Sequence, residues 1–329
     1  MSYFIYYWIG IIALCIVMYV VLDGWTLGMG ITWPFLSKSE RDIAISIILP
    51  TWDGNQTWLV LGSASLYGAF APAFGHLLPI LYIPLLVMVI ALLLRGASLE
   101  FRLKAKKQST LWDSLFFIAS LIATLIQGIM LGSFVQGFDQ GNHPLYEIFL
   151  SPFATMTALS LVMGYMLLGA TRLIHKATGP VVSRMQKLAF YLSWGVMVMM
   201  GLVSLWTPFI HPQIKERWFN PHEFMYLVWL PITTAILFFF LIRSLYMKKT
   251  SAEPFLFSIS LFICPYVGFC LSIYPYLIPY SMTLKQAASP IETLHFLSIG
   301  ATIMLPVLLF YTFYAYRVFK GKVNEIIHY

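Results

Sequence analysis

Charge is scarce in this chain: 13 acidic and 20 basic residues stand among 329, 10% charged against 60% hydrophobic, with a mean hydropathy of +0.81. So little charge cannot coat a water-soluble globule, and no stretch between apolar segments is long enough for a soluble domain. Cysteine is scarcer still. Cys15, Cys264 and Cys270 all fall in apolar stretches without CxxC or Cys/His ligand spacing, which argues against a structural disulfide or a metal site built from them. Walker, dinucleotide-binding and nucleophile-elbow patterns are missing as well. Histidine is absent from mid-membrane positions, where an axial haem ligand would be needed. His76 and His295 fall near outer span ends, His143, His211 and His222 in outer loops, and His175 and His328 on the cytoplasmic side. No catalytic residue, metal ligand or directly bound cofactor is assigned to this chain. The net charge of +7 reflects orientation and anionic lipid contact rather than nucleic-acid binding.

What is present is a succession of apolar windows, read against breaks of charge, Pro and Gly. They predict an all-α polytopic membrane protein, a single transmembrane domain over 1–329. Spans are expected near 5–33, 50–72, 76–94, 112–135, 152–174, 186–209, 223–243, 255–278 and 292–318. The first is too long for a signal-peptide core, lacks a basic region before it and carries Asp23, so it reads as a retained span. Nine spans place the termini on opposite faces. Short basic loops stay cytoplasmic, and with the N-terminus outside, all the Lys and Arg residues fall on the cytoplasmic side except Lys215, Arg217 and Lys285. Aromatic residues crowd the span ends, as at Tyr3, Phe4, Tyr6, Tyr7 and Trp8, in the manner of an interfacial belt.

Polar residues inside apolar spans carry the functional content. In the second span Asp53, Gln56, Thr57, Ser63 and Tyr67 recur at helical spacing and share one face. A carboxylate at the entrance followed by amide and hydroxyl groups suits a proton-conducting file of waters. The same hydroxyls also suit interhelical hydrogen bonding. Asp113, Ser120, Thr124 and Gln127 form a secondary stripe on the fourth span, with Asp113 at an interfacial helix N-terminus. Asp23 admits two readings: a buried carboxyl that fixes helix register, or a proton-transfer group. Gly24, Gly28 and Gly30 after it offer a smooth surface for close helix packing.

Several elements together resemble subunit II of bd-type quinol oxidases. They are Asp23-Gly24, Gly28-Met29-Gly30, Trp52-Asp53-Gly54-Asn55-Gln56 with Trp58, and Arg95-Gly96 leading to Glu100-Phe101-Arg102. Gly132-Ser133-Phe134 with Gln136-Gly137 and the closing run from Pro306 to Arg317 complete the set, in order along the whole chain. The resemblance implies a multi-pass subunit of the bacterial cytoplasmic membrane, paired with a homologous haem-bearing subunit I that oxidises quinol and reduces dioxygen to water. It places haem b and haem d, or b-type equivalents, in the partner. Small single-helix accessory subunits and a structural quinone occur in some members. It also implies that the Asp of the Trp-Asp-Gly-Asn element, here Asp53, takes part in a cytoplasmic proton path. Two departures stand out. Thr26 occupies a position where the family often has a second acidic residue, and the outer loops are short.

The resulting expectation is that electrons never travel on this chain, while protons enter near Asp53 and pass along Gln56, Thr57 and Ser63, with Asp23 as an auxiliary carboxylate. The oxidase would thus generate proton motive force without pumping. Arg95, Glu100 and Arg102 are expected to anchor the cytoplasmic end through lipid headgroups and a local ion pair. Two other classes stay open: a stand-alone proton-coupled secondary transporter, and a scaffold whose carboxylates are inert. Paired broken helices, the mark of many transporters, are not evident.

Overall fold

A computed structural model describes residues 2–104, 108–138, 145–220, 225 and 227–323. Lys106, Lys107, His143, His222 and His328 lie outside the described residues, as does the start of the span expected at 223–243.

The chain is a helical bundle. It runs α1 (Ser2–Leu22), α2 (Gly24–Ile31), a 3-10 turn at Trp33–Phe35, α3 (Lys38–Ile48), α4 (Trp52–Ala69), α5 (Ala71–Lys104) and α6 (Ser109–Gln136). There follow α7 (Leu145–Phe149), α8 (Pro152–Lys176), α9 (Pro180–Ile210), α10 (Pro212–Phe219), α11 (Trp229–Tyr246) and α12 (Glu253–Ile273). A small hairpin of β1 (Tyr276–Ile278) and β2 (Met282–Thr283), then α13 (Leu284–Ala287) and α14 (Ile291–Val318), complete it.

Among the described residues, eight helical segments are long and apolar enough to cross a membrane, with Ser2–Ile31 counted as one. α4 is not one of them: it occupies the segment read as the second span, but Asp53, Asn55 and Gln56 fill its first two turns. The first span is divided at Asp23, which separates α1 from α2. The segment after it, read only as a basic loop, folds into α3 because Ser37 and Glu40 form a reciprocal capping box. α5 extends to Lys104, well past the expected end near 94.

Two apolar clusters make the interior. One joins α2, α3, α5, α6, α8, α9, α11 and α12, and the other joins α1, α4, α14 and the hairpin region. Because lipid is as apolar as the helices, close packing of small residues rather than water exclusion brings them together. Gly28 of α2 meets Gly169 of α8 backbone to backbone, leaving no room for a Cβ on either. Gly128 and Gly132 of α6 press in the same way against Ala158 and Ala154 of α8. α8 is accordingly the central helix, packed on α2, α6, α9 and α12.

Candidate functional site

Where α1 meets α2, the bundle encloses an ion pair. Asp23 is fully buried, and its Oδ1 accepts from Arg95 of α5 across 2.9 Å, with Arg95 itself 0% exposed. Thr26 completes the clamp: its hydroxyl lies 2.7 Å from Asp23 Oδ1 and accepts from a second Arg95 nitrogen at 3.0 Å. The position read as a missing acidic residue therefore holds a neutral group that shares the single arginine. Asp23 Oδ2 and Arg95 Nε have no hydrogen-bond partner among the described residues. Close by, Gln127 donates to Tyr19 at 2.9 Å and accepts from Tyr165 at 3.0 Å, linking α6, α1 and α8.

Arg95 does not anchor the membrane surface, contrary to the sequence expectation. It sits nine residues before the end of α5, about 14 Å inward at helical rise, so its charge is met inside the bundle. Arg102 likewise pairs not with Glu100, which is exposed, but with Asp42 at 2.7 Å and with Asp113. Asp113 also accepts from Arg41 at 3.0 Å and is 4% exposed. It therefore works as a buried clamp between α3, α5 and α6, not as an interfacial cap.

The Trp52-Asp53-Gly54-Asn55 element resolves into separate roles. Asn55 is buried, donates to the Leu22 carbonyl at 2.8 Å where α1 ends, and accepts from Tyr316 of α14 at 3.1 Å. Tyr316 in turn accepts from Trp25 at 3.1 Å. Trp52 lies against Gly96, where a Cβ would approach its ring to 2.9 Å. Gly54 faces the Tyr311 ring. Asp53 makes no hydrogen bond or ion pair with the described residues and is exposed on the outside of α4, as are Thr57, Ser63 and Tyr67. Gln56 is half-buried, with its amide nitrogen unpartnered, and the Ser63 hydroxyl bonds back to its own helix at 3.0 Å. The α4 stripe thus faces away from the bundle, whereas Asp113, Ser120 and Thr124 of the α6 stripe face into it. Asp23 and Asp53 are not brought into contact: one is held inside by Arg95, the other lies on the outer surface.

Sequence reasoning missed the joint role of Asp23, Thr26 and Arg95. The available signal was one arginine displaced into the apolar part of a span and one intramembrane carboxylate with no partner in its own helix.

Three of the described histidines lie at the end opposite the basic loops. His76 and His295 are exposed, His295 edge-on to Phe4 at 5.5 Å, and His211 is stacked on Tyr280 with ring centroids 3.6 Å apart. Among the described residues no group of three His, Cys, Asp or Glu side chains comes together as a metal would require.

Three comparisons bear on what this architecture belongs to. The "Cytochrome bd-I ubiquinol oxidase subunit 2" of Escherichia coli strain K12 is 23% identical, covering 97% of this chain and 94% of that protein. The "Cytochrome bd ubiquinol oxidase subunit 2" of Bacillus subtilis strain 168 is also 23% identical, covering 97% and 96%. In fold, the chain is similar to a chain of the bd oxidase structure from Geobacillus thermodenitrificans, with a TM-score of 0.78 at 17% identity, covering 97% of this chain and 99% of that one. Residues 4–319 match the family described as cytochrome bd terminal oxidase subunit II, and this multi-pass protein of the bacterial cytoplasmic membrane belongs to that family.

Proposed function

We propose that this chain is the haem-free subunit of a quinol:oxygen oxidoreductase, and that the outer face of α4 delivers protons from the cytoplasm toward a haem-bearing homologous partner. One observation carries the reading: Asp53, Thr57 and Ser63 stand exposed along one side of α4. A carboxylate turned toward lipid is costly. Covered by a second subunit, the same face becomes a buried polar seam that can hold waters, with Asp53 as the exchangeable site and Gln56, Thr57 and Ser63 as donors and acceptors behind it. Asp23 acts at a distance from that seam by fixing, with Arg95, the junction to which Asn55 ties the start of α4.

The distribution of Lys and Arg supports an N-terminus outside and a C-terminus in the cytoplasm, which puts Asp53 at the cytoplasmic entrance. The relatives' names support quinol as reductant, and membership of the subunit II family supports haem b and haem d, or b-type equivalents, residing in the partner. The haems supply the electron transfer and oxygen chemistry, and this chain's residues hold and pass protons. Exposed apolar faces of α9 and α14 are suited to lipid, a structural quinone or single-helix accessory subunits. Family membership favours this reading over a stand-alone proton-coupled transporter.

The test is an oxidised and dithionite-reduced absorption spectrum of the complex purified gently through a tag on this chain. Haem bands accompanied by quinol-dependent oxygen uptake are expected. A colourless, partner-free protein that drives substrate uptake into vesicles would overturn the proposal and promote the transporter.

A further inference from the structure

At the basic end of the bundle, a cavity of about 220 Å³ opens between the last turn of α8, the end of α3, the start of α4 and the end of α14. A water molecule takes about 30 Å³, so the space admits a group several times larger. Arg172 and Lys176, one turn apart on α8, line it together with Thr51, Tyr316 and Lys322. Both α8 cations are buried, at 7% and 4% exposure. Among the described residues no carboxylate lines the cavity or pairs with either cation, although the other buried arginines, Arg95 and Arg102, each have one.

Arg172 has an unusual environment. Its guanidinium lies over three rings, Trp25 at 4.9 Å, Phe255 at 5.0 Å and Tyr316 at 5.3 Å, and its Nε has no hydrogen-bond partner among the described residues. Rings hold a cation in place without neutralising it or accepting its N–H donors. Lys176 donates to the carbonyl oxygens of Phe319 and Gly321 at 2.5 and 3.1 Å, which fixes the ammonium but supplies no counter-charge, and none comes from another of the described residues. Two buried like charges one helical turn apart repel, and a buried charge is retained only when something pairs with it. An oxyanion in the cavity would meet both requirements, and a planar guanidinium favours bidentate binding of phosphate.

We infer that this cavity is a binding site for a phosphate group, held by Arg172 and Lys176 with Lys322 at its rim. The two sources of that chemistry at a basic membrane face are the headgroup of an anionic phospholipid and free inorganic phosphate. The inference is independent of the proton path and of the oxidase reaction.

The experiment uses the tagged chain with its co-purifying subunits, delipidated in detergent and examined by native mass spectrometry. Phosphatidylglycerol, phosphatidylcholine and inorganic phosphate are added separately and in competition. The wild type is expected to keep one phosphatidylglycerol under activation that strips phosphatidylcholine, and Arg172→Met and Lys176→Met to reduce that retention at least about fivefold. If inorganic phosphate instead binds and no lipid is retained, the site stands with free phosphate as its ligand. Equal binding of both probes by wild type and variants overturns the inference. Should the two α8 variants fail to assemble, Lys322→Gln at the exposed rim and the wild-type preference for phosphatidylglycerol over phosphatidylcholine decide it: no preference, and no change with Lys322→Gln, overturns it equally.

Discussion

Arg95 donates to Asp23 across 2.9 Å between side chains that are 1% and 0% exposed, joining α5 to the junction of α1 and α2. Neither residue can release the other to water. Arg95→Met should therefore destabilise the assembled protein by about 3–5 kcal/mol, because the Asp23 carboxylate is left buried and unpaired. Asp23→Asn combined with Arg95→Met should recover part of that loss, since the orphaned charge goes too. Thermal denaturation of the purified complex measures both, and a single mutant that melts like wild type would refute the pairing.

Asp53 behaves oppositely, since nothing among the described residues depends on it. Asp53→Asn should leave assembly and thermal stability unchanged while quinol-driven oxygen uptake falls by a factor on the order of 10², the scale of losing a positioned proton-transfer group. Oxygen-electrode rates of the intact complex read this out. Undiminished turnover would mean that the α4 face is a packing surface and the chain a scaffold.

Gly28→Ala should cost about 1–3 kcal/mol through overpacking, because the new methyl would enter the backbone of α8 at Tyr165. Gly201→Ala on α9, where nothing lies within 4 Å, serves as the control and should be neutral or slightly stabilising. Melting temperatures and membrane yields of the two variants should separate clearly.

The outer end should respond to acid through His211. Burial against Tyr280 lowers its pKa below the ordinary value of 6.5, so the unfolded chain takes up the proton first as pH falls. The stabilising contribution of the stack is complete above about pH 6.5 and drains away below it. Melting curves at pH 7.5 and pH 5.5 should show the loss in wild type and a smaller pH dependence in His211→Phe, which keeps the ring stack without the titration.

Much of the architecture was legible in the sequence, because in a membrane the solvent itself demands apolar stretches of about 20 residues. The close approach anticipated for Gly24, Gly28 and Gly30 was readable too, since only small residues let helix backbones touch. Other features were not readable. α3 looked like a basic loop because long-range clamps such as Arg184 with Glu40 at 2.7 Å hold it in place, although the capping box of Ser37 and Glu40 was a local signal of its start. Arg102 and Asp113 are near in sequence, but the third partner, Asp42, arrives only through the packing of α3.

The sequence by itself determined the class, the approximate helices, the face on which each polar stripe lies relative to its own axis, and the family, because these depend on composition, period and local order. Tertiary structure alone decided which way each stripe points: inward for Ser120 and Thr124, outward for Asp53 and Thr57. It alone paired Asp23 with Arg95 and left Arg172 among three rings with no carboxylate partner among the described residues. Helical periodicity defines a face but not what that face meets, and charges placed far apart along a chain acquire partners only when the helices carrying them pack.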